Sequence, residues 1–357
     1  MNKQTKELHN QGISLWLDNI TRKMLDDGTI QRYITEFSVT GLTSNPTIFD
    51  HAIANSNDYD TAIKASGSEI SDEDLFFKLA VEDIQRAADL FLPVYEKTNG
   101  LDGFVSIEVS PLLAFDTENT IKAAKKIFAL VNRPNAFIKI PGTPEGLPAI
   151  EKAIAEGIPV NVTLLFTPEQ YIAAAEAYLK GIEKRIEKGL KADIRSVASV
   201  FVSRWDRAVT GRVGPDLENK LGLTIMQKVY AAYLGFLNSE RVRQVMNTGV
   251  FPQRLLWAST GTKDPAVSDT LYVAKLAAPY TVNTMPENTL LAFGDHGEPA
   301  ILMKEKVGEA ANILEQFKKE GVEYLQLGLQ LQNEGAASFK KSWEHLIDSI
   351  KTKRNKI

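Results

Sequence analysis

Lys139 stands in the run Ala136-Phe137-Ile138-Lys139-Ile140-Pro141-Gly142-Thr143, an apolar, strand-like stretch in which a charged ammonium is costly. Lysine is rarely fully buried unless it is paired, and removal from water favours its neutral, nucleophilic form. A neutral buried amine can condense with a carbonyl to give a Schiff base. The ordinary alternative is a lysine whose head escapes to solvent past a sheet edge.

Other polar residues fall around it with strand spacing. Successive side chains of a strand point to opposite faces. Ser14, Trp16 and Asp18 therefore share one face, as do Ser106 with Glu108, Phe137 with Lys139, Asn161 with Thr163, and Ser199 with Phe201. Asn45 stands at the end of a second such run, and aliphatic rows occupy the opposite faces. Two carboxylates in different surroundings can serve as separate acid-base groups. Taken singly, Asp18 and Asn45 could be helix caps or turn formers, Glu108 a solvated strand end, and Thr163 and Ser199 ordinary strand residues. Agreement of Asp18, Asn45, Glu108, Lys139, Asn161, Thr163 and Ser199 on one face argues for a site. A one-residue slip in strand register would reverse a face.

The elements that would position these residues alternate along the chain. Strands are expected at 13–18, 39–45, 103–108, 136–140, 158–164, 196–201, 255–259 and 280–283, with amphipathic stretches such as 72–95, 117–131, 167–189 and 269–276 between them. Thr167 before Pro168 reads as a helix cap, and Ser71 followed by three acids reads as a helix start. Eight strand–helix repeats imply an α/β fold, a parallel sheet closed as a (β/α)8 TIM barrel, with an open doubly wound sheet as competitor. In a barrel, the polar face would point inward near the carboxyl ends of the strands, where such enzymes keep their chemistry. Residues 206–249 are long enough for two extra helices between strands six and seven. Residues 290–357 read as a helical tail that packs through Ile313, Phe317, Tyr324 and Leu325. With no Pro/Gly/Ser-rich hinge, 1–357 is expected to be one domain.

Composition narrows the function. The 357 residues are 44% hydrophobic with a net charge of -4, as in ordinary soluble proteins. The balance of 41 basic and 45 acidic residues gives no global field for nucleic acid or an anionic membrane. The sequence has no signal-peptide core and no membrane-length apolar run, so a cytoplasmic enzyme is expected. Without cysteine, thiolate catalysis and disulfides are excluded. His9, His51, His296 and His345 are scattered without ligand spacing, so neither a metal centre nor a Ser-His triad is expected.

Gly41-Leu42-Thr43-Ser44-Asn45-Pro46-Thr47 and Phe137-Ile138-Lys139-Ile140-Pro141-Gly142-Thr143 resemble motifs of the transaldolases. So do Val105-Ser106-Ile107-Glu108-Val109, Asn161-Val162-Thr163-Leu164-Leu165-Phe166 and Ser199-Val200-Phe201-Val202-Ser203-Arg204. The resemblance runs from about residue 13 to 283. It implies a Schiff-base aldolase barrel of the non-oxidative pentose phosphate pathway, needing neither metal nor organic cofactor. Such an enzyme moves a dihydroxyacetone unit from sedoheptulose 7-phosphate or fructose 6-phosphate to glyceraldehyde 3-phosphate or erythrose 4-phosphate.

By the same resemblance, Lys139 attacks the ketose C2 carbonyl and Asp18 takes the C4 hydroxyl proton. Glu108 acts through a water held by Thr163, and Asn45, Asn161 and Ser199 hold hydroxyls. Arg204 matches a phosphate-binding cation. Ala258-Ser259-Thr260-Gly261-Thr262-Lys263 departs from the family's short serine-aromatic-arginine pattern, so Ser259 and Lys263 are the expected substitutes, as in a longer bacterial branch. Small relatives that act as plain aldolases carry glutamine for the glutamate and tyrosine for the phenylalanine, so Glu108 and Phe201 favour transfer. A catalytically silent barrel that binds sugar phosphates is the reading from a different class. The partners implied are sugar phosphates, with the chain as monomer or homodimer.

Overall fold

The computed structural model describes residues 1–67, 69–298, 302–303 and 307–356. Eight parallel strands close into a barrel in sequence order: β1 (Ser14–Leu17), β2 (Val39–Thr43), β3 (Val105–Glu108), β4 (Ala136–Pro141), β5 (Val160–Leu165), β6 (Ser196–Phe201), β7 (Arg254–Ala258) and β8 (Val282–Met285). β1 pairs with β8, so no sheet edge remains, and the doubly wound alternative is overturned.

The expected strands fall where the β-branched runs stand. The eighth is displaced, because Tyr280 takes a left-handed turn (φ 62°) and pairing begins only at Val282. Helix starts follow their caps. Thr167 and Gln170 form a reciprocal capping box at Pro168–Glu187, and Ser71 accepts the Asp74 N–H at Asp72–Lys97.

Rings fill the lower part of the barrel. Phe104 stacks on Phe137 at 4.1 Å, and Trp16 lies 6.1 Å from Phe137 while donating its indole N–H to Asp102 (2.7 Å). Gly41 makes room for this indole, since a Cβ there would lie 2.7 Å from the ring. With the floor packed, polar residues one step higher on the same inward faces open onto the carboxyl end.

Three helices, not two, lie between β6 and β7: Ser203–Val209, Leu221–Leu237 and Glu240–Met246. Ser239 separates the last two by capping Val242. The expected tail also divides differently. Glu287–His296 is the helix that follows β8, and Val307–Lys319 and Tyr324–Lys356 come after it. Residues 299–301, 304–306 and 357 of that expected tail lie outside the described residues. Phe317 is buried, and Ile313 and Tyr324 pack partly against the core. Leu325, expected to pack, is instead 52% exposed, because the helix turns that position outward while burying Leu327 and Leu331. Among the described residues no helix is long and apolar enough to cross a membrane.

Candidate active site

The strand registers place the chemistry side by side. Glu108 pairs across from Lys139 on β3 and β4, and Lys139 across from Asn161 on β4 and β5. Lys139 is 6% exposed; its ammonium forms an ion pair with the Glu108 carboxylate and donates to the Ser44 carbonyl at 2.9 Å. The alternative of a head escaping to solvent is overturned.

Above the ring-filled floor lies a cavity of about 900 Å³, open at the carboxyl ends of the strands. Asp18, Asn45, Lys139, Thr163, Ser199, Phe201, Arg204, Ser259 and Lys263 all line it. Glu108 does not. It borders a separate void of about 10 Å³ shared with Lys139 and Thr163, the least space that holds one water. Thr163 Oγ1 is buried without a protein hydrogen-bond partner among the described residues, so it keeps a donor and an acceptor for such a water.

Asn161 lies below the cavity rather than on its wall. Fully buried, it donates to Ser106 Oγ (3.1 Å) and accepts from Ser199 Oγ (2.7 Å). Asn45 lines the cavity and also caps the helix Pro46–Asn55 through the Ile48 N–H (3.1 Å), so its structural use and its place at the site coexist.

Burial pushes the Asp18 carboxyl above the usual carboxylate range, although the field of Lys139 and the hydroxyl of Thr43, which donates at 2.7 Å, act the other way. Glu108 is also raised by burial, opposed by the attraction and hydrogen bonding of Lys139 and reinforced by the negative field of Asp18. Both carboxyls are thus proton-retentive groups flanking one amine.

The rim is cationic. Arg204 lies over the rings of Phe201 and Phe339 at 5.4 and 5.8 Å, burial lowers its pKa, and it has no carboxylate at ion-pair distance among the described residues. Guanidinium groups stay charged in proteins, so this one carries its charge at the cavity wall with only the more distant field of Glu334 opposing it, and Arg207 and Lys263 line the same wall. Ser259, in a left-handed turn (φ 58°), shares a hydrogen bond with Ser203 at 2.8 Å.

Several lining residues had not been singled out from sequence. Thr284 bonds Thr43 at 2.7 Å and lines the wall; it was missed because the expected eighth strand stopped at 283. Thr43, with Thr284, steadies Asp18, and its position in β2 two residues before Asn45 was the available signal. Arg207 stands one helical turn after Arg204, a spacing that could have flagged it. Phe339, from the helix Tyr324–Lys356, carried no local signal at all.

Residues 15–350 match the family described as Transaldolase/Fructose-6-phosphate aldolase. A transaldolase of Saccharopolyspora erythraea is 41% identical over 98% of this chain and 97% of its own length. Transaldolases of Kocuria rhizophila and Thermobifida fusca are 42% and 43% identical, each over 98% of both chains.

Proposed function

This chain belongs to the transaldolase/fructose-6-phosphate aldolase family, and on that premise we propose how its barrel carries out the reaction of a transaldolase. The enzyme is a transferase. Its donor is a ketose phosphate, sedoheptulose 7-phosphate or fructose 6-phosphate, and its acceptor is glyceraldehyde 3-phosphate or erythrose 4-phosphate. The observation that carries the mechanism is the buried Lys139–Glu108 pair beside a water-sized void bordered by Thr163.

Lys139 passes a proton to Glu108 and attacks C2 of the ketose. The carbinolamine hydroxyl leaves as water when Glu108 returns that proton through the water held by Thr163, giving an iminium. Asp18 then removes the C4 hydroxyl proton. The C3–C4 bond breaks, its electron pair enters the iminium to form an enamine, and the aldose phosphate departs. The acceptor aldehyde takes its place, the enamine carbon attacks, and Asp18 returns the proton to the new hydroxyl. Water then cleaves the iminium by the reverse of its formation.

Asn45 and Ser199 hold hydroxyls of the three-carbon unit, with Asn161 fixing Ser199 from below. Arg204, Arg207, Ser259 and Lys263 receive the phosphate, where planar guanidinium donors suit phosphate oxygens. Phe201 and Phe339 give the intermediate an apolar wall, which limits hydrolysis and favours transfer over plain aldol cleavage. We further infer that the chain works in the cytoplasm within the pentose phosphate pathway, as a monomer or homodimer. Its inserted and terminal helices elaborate a single domain.

Borohydride treatment with fructose 6-phosphate tests the nucleophile. The expected result is covalent trapping on Lys139 and loss of turnover in Lys139→Ala. Absence of trapping in folded protein would support the silent sugar-phosphate barrel instead. Turnover without an acceptor aldose phosphate would identify a plain aldolase.

A further inference from the structure

The helix Tyr324–Lys356 passes the open end of the barrel, packing on β5 and bringing Phe339 to the cavity wall beside Phe201 of β6. Two glycines let it approach: a Cβ on Gly328 would lie 2.2 Å from Thr167 Cγ2, and one on Gly335 would lie 2.8 Å from Leu164 Cδ2. Between them stands Gln332, only 3% exposed. Its amide nitrogen donates to the Gly142 carbonyl at 3.0 Å and to the Leu164 carbonyl at 2.9 Å. Buried side-chain polar groups normally find partners, but these two carbonyls are the ends of the strands that carry Lys139 and Thr163.

The backbone between those strands is irregular at this point. Leu164 has φ 60°, a left-handed conformation that is rare for a leucine and persists only where its surroundings enforce it. The pairing of β5 with β6 shifts register between Val162 and Leu165. Gly142 N–H reaches back to the Thr163 carbonyl at 2.7 Å. Thr163 therefore sits in a bulge whose next carbonyl is held by Gln332, and its hydroxyl has no protein partner among the described residues where it borders the void shared with Lys139 and Glu108.

We propose that Gln332 is a positioning residue for the reaction: by clamping the Gly142 and Leu164 carbonyls it holds the bulge that aims the Thr163 hydroxyl at the Lys139–Glu108 pair. This rests on the mechanism above, in which Thr163 holds the water that serves carbinolamine dehydration. Gln332 touches no reacting atom. Its loss slows the proton transfers of imine formation and hydrolysis and leaves substrate affinity almost unchanged.

The test compares wild type, Gln332→Met, Thr163→Ala and the double variant by melting temperature, steady-state kinetics with fructose 6-phosphate and an acceptor, and the single-turnover rate of borohydride trapping. A displaced proton-transfer group predicts kcat lower by at least ~10-fold in Gln332→Met, with KM within about twofold and trapping slowed in parallel. The double variant should be no slower than Thr163→Ala alone, because residues acting through one another are not additive. An unchanged kcat, a loss expressed only in KM, or fully additive losses would each overturn the proposal. Gln332→Asn, which keeps the amide, serves the same comparison if the methionine variant does not fold. Failure of both to fold would reassign the clamp to stability alone. If wild type itself neither traps nor turns over, the transaldolase mechanism falls; if wild type does both and the variant matches it, only the role of Gln332 falls.

Discussion

In the proposed mechanism Asp18 and Glu108 act as bases and must be ionised, and burial makes both harder to ionise. The acid limb of kcat/KM is therefore expected above the usual carboxylate range of about 4, as a property of the coupled set rather than of either residue. A limb at the ordinary value, measured by initial rates across pH, would contradict this environment. Stability follows the same sign. A carboxyl whose folded pKa is raised binds its proton more tightly when folded, so it costs stability as pH rises from the unfolded value through the folded one. Asp18→Asn is expected to melt higher than wild type at pH 7, to lose that advantage toward pH 3, and to lower kcat by about 100-fold or more. Most of this constellation was legible from residue type and period-two spacing, because a lysine, two carboxylates and four short polar side chains on one strand face have few joint uses. The pairing partners were not. Ser44 receives the lysine through its carbonyl, a group that every residue carries and no sequence pattern marks.

The strands were legible as elements because their β-branched runs are bounded by helix caps, and Thr167 and Ser71 cap where expected. The eighth strand was misplaced by two residues because a tyrosine in a left-handed turn leaves no compositional trace. The terminal helix was legible as a helix, but its role was not, since Gln332 meets Gly142 at a separation of 190 residues. Its close approach rests on the missing side chains at 328 and 335. Gly328→Ala is expected to destabilise by about 1–3 kcal/mol despite its better helix propensity, because overpacking at 2.2 Å forces the helix off Thr167 and Trp205. A melting temperature equal to or above wild type would show that the helix has slack. Gly235, where a Cβ would meet nothing within 4 Å, is the control; there alanine is expected to stabilise.

At the scale of the whole molecule, a chain of net charge -4 presents a cationic mouth through Arg204, Arg207 and Lys263. The field proposed to draw a sugar phosphate is therefore local and exposed to salt. KM is expected to rise several-fold between low ionic strength and ~0.5 M salt while kcat holds, because screening acts on encounter and phosphate binding rather than on the buried amine. A salt-independent KM would move the phosphate to a drier site. Closure of the ring has a further consequence. Asp18 follows β1, Thr284 lies on β8 against it, and Phe339 arrives later still from the crossing helix. A polypeptide emerging from the ribosome therefore carries Lys139 long before the chamber around it is walled, and the enclosure is complete only once the crossing helix has been translated and docked.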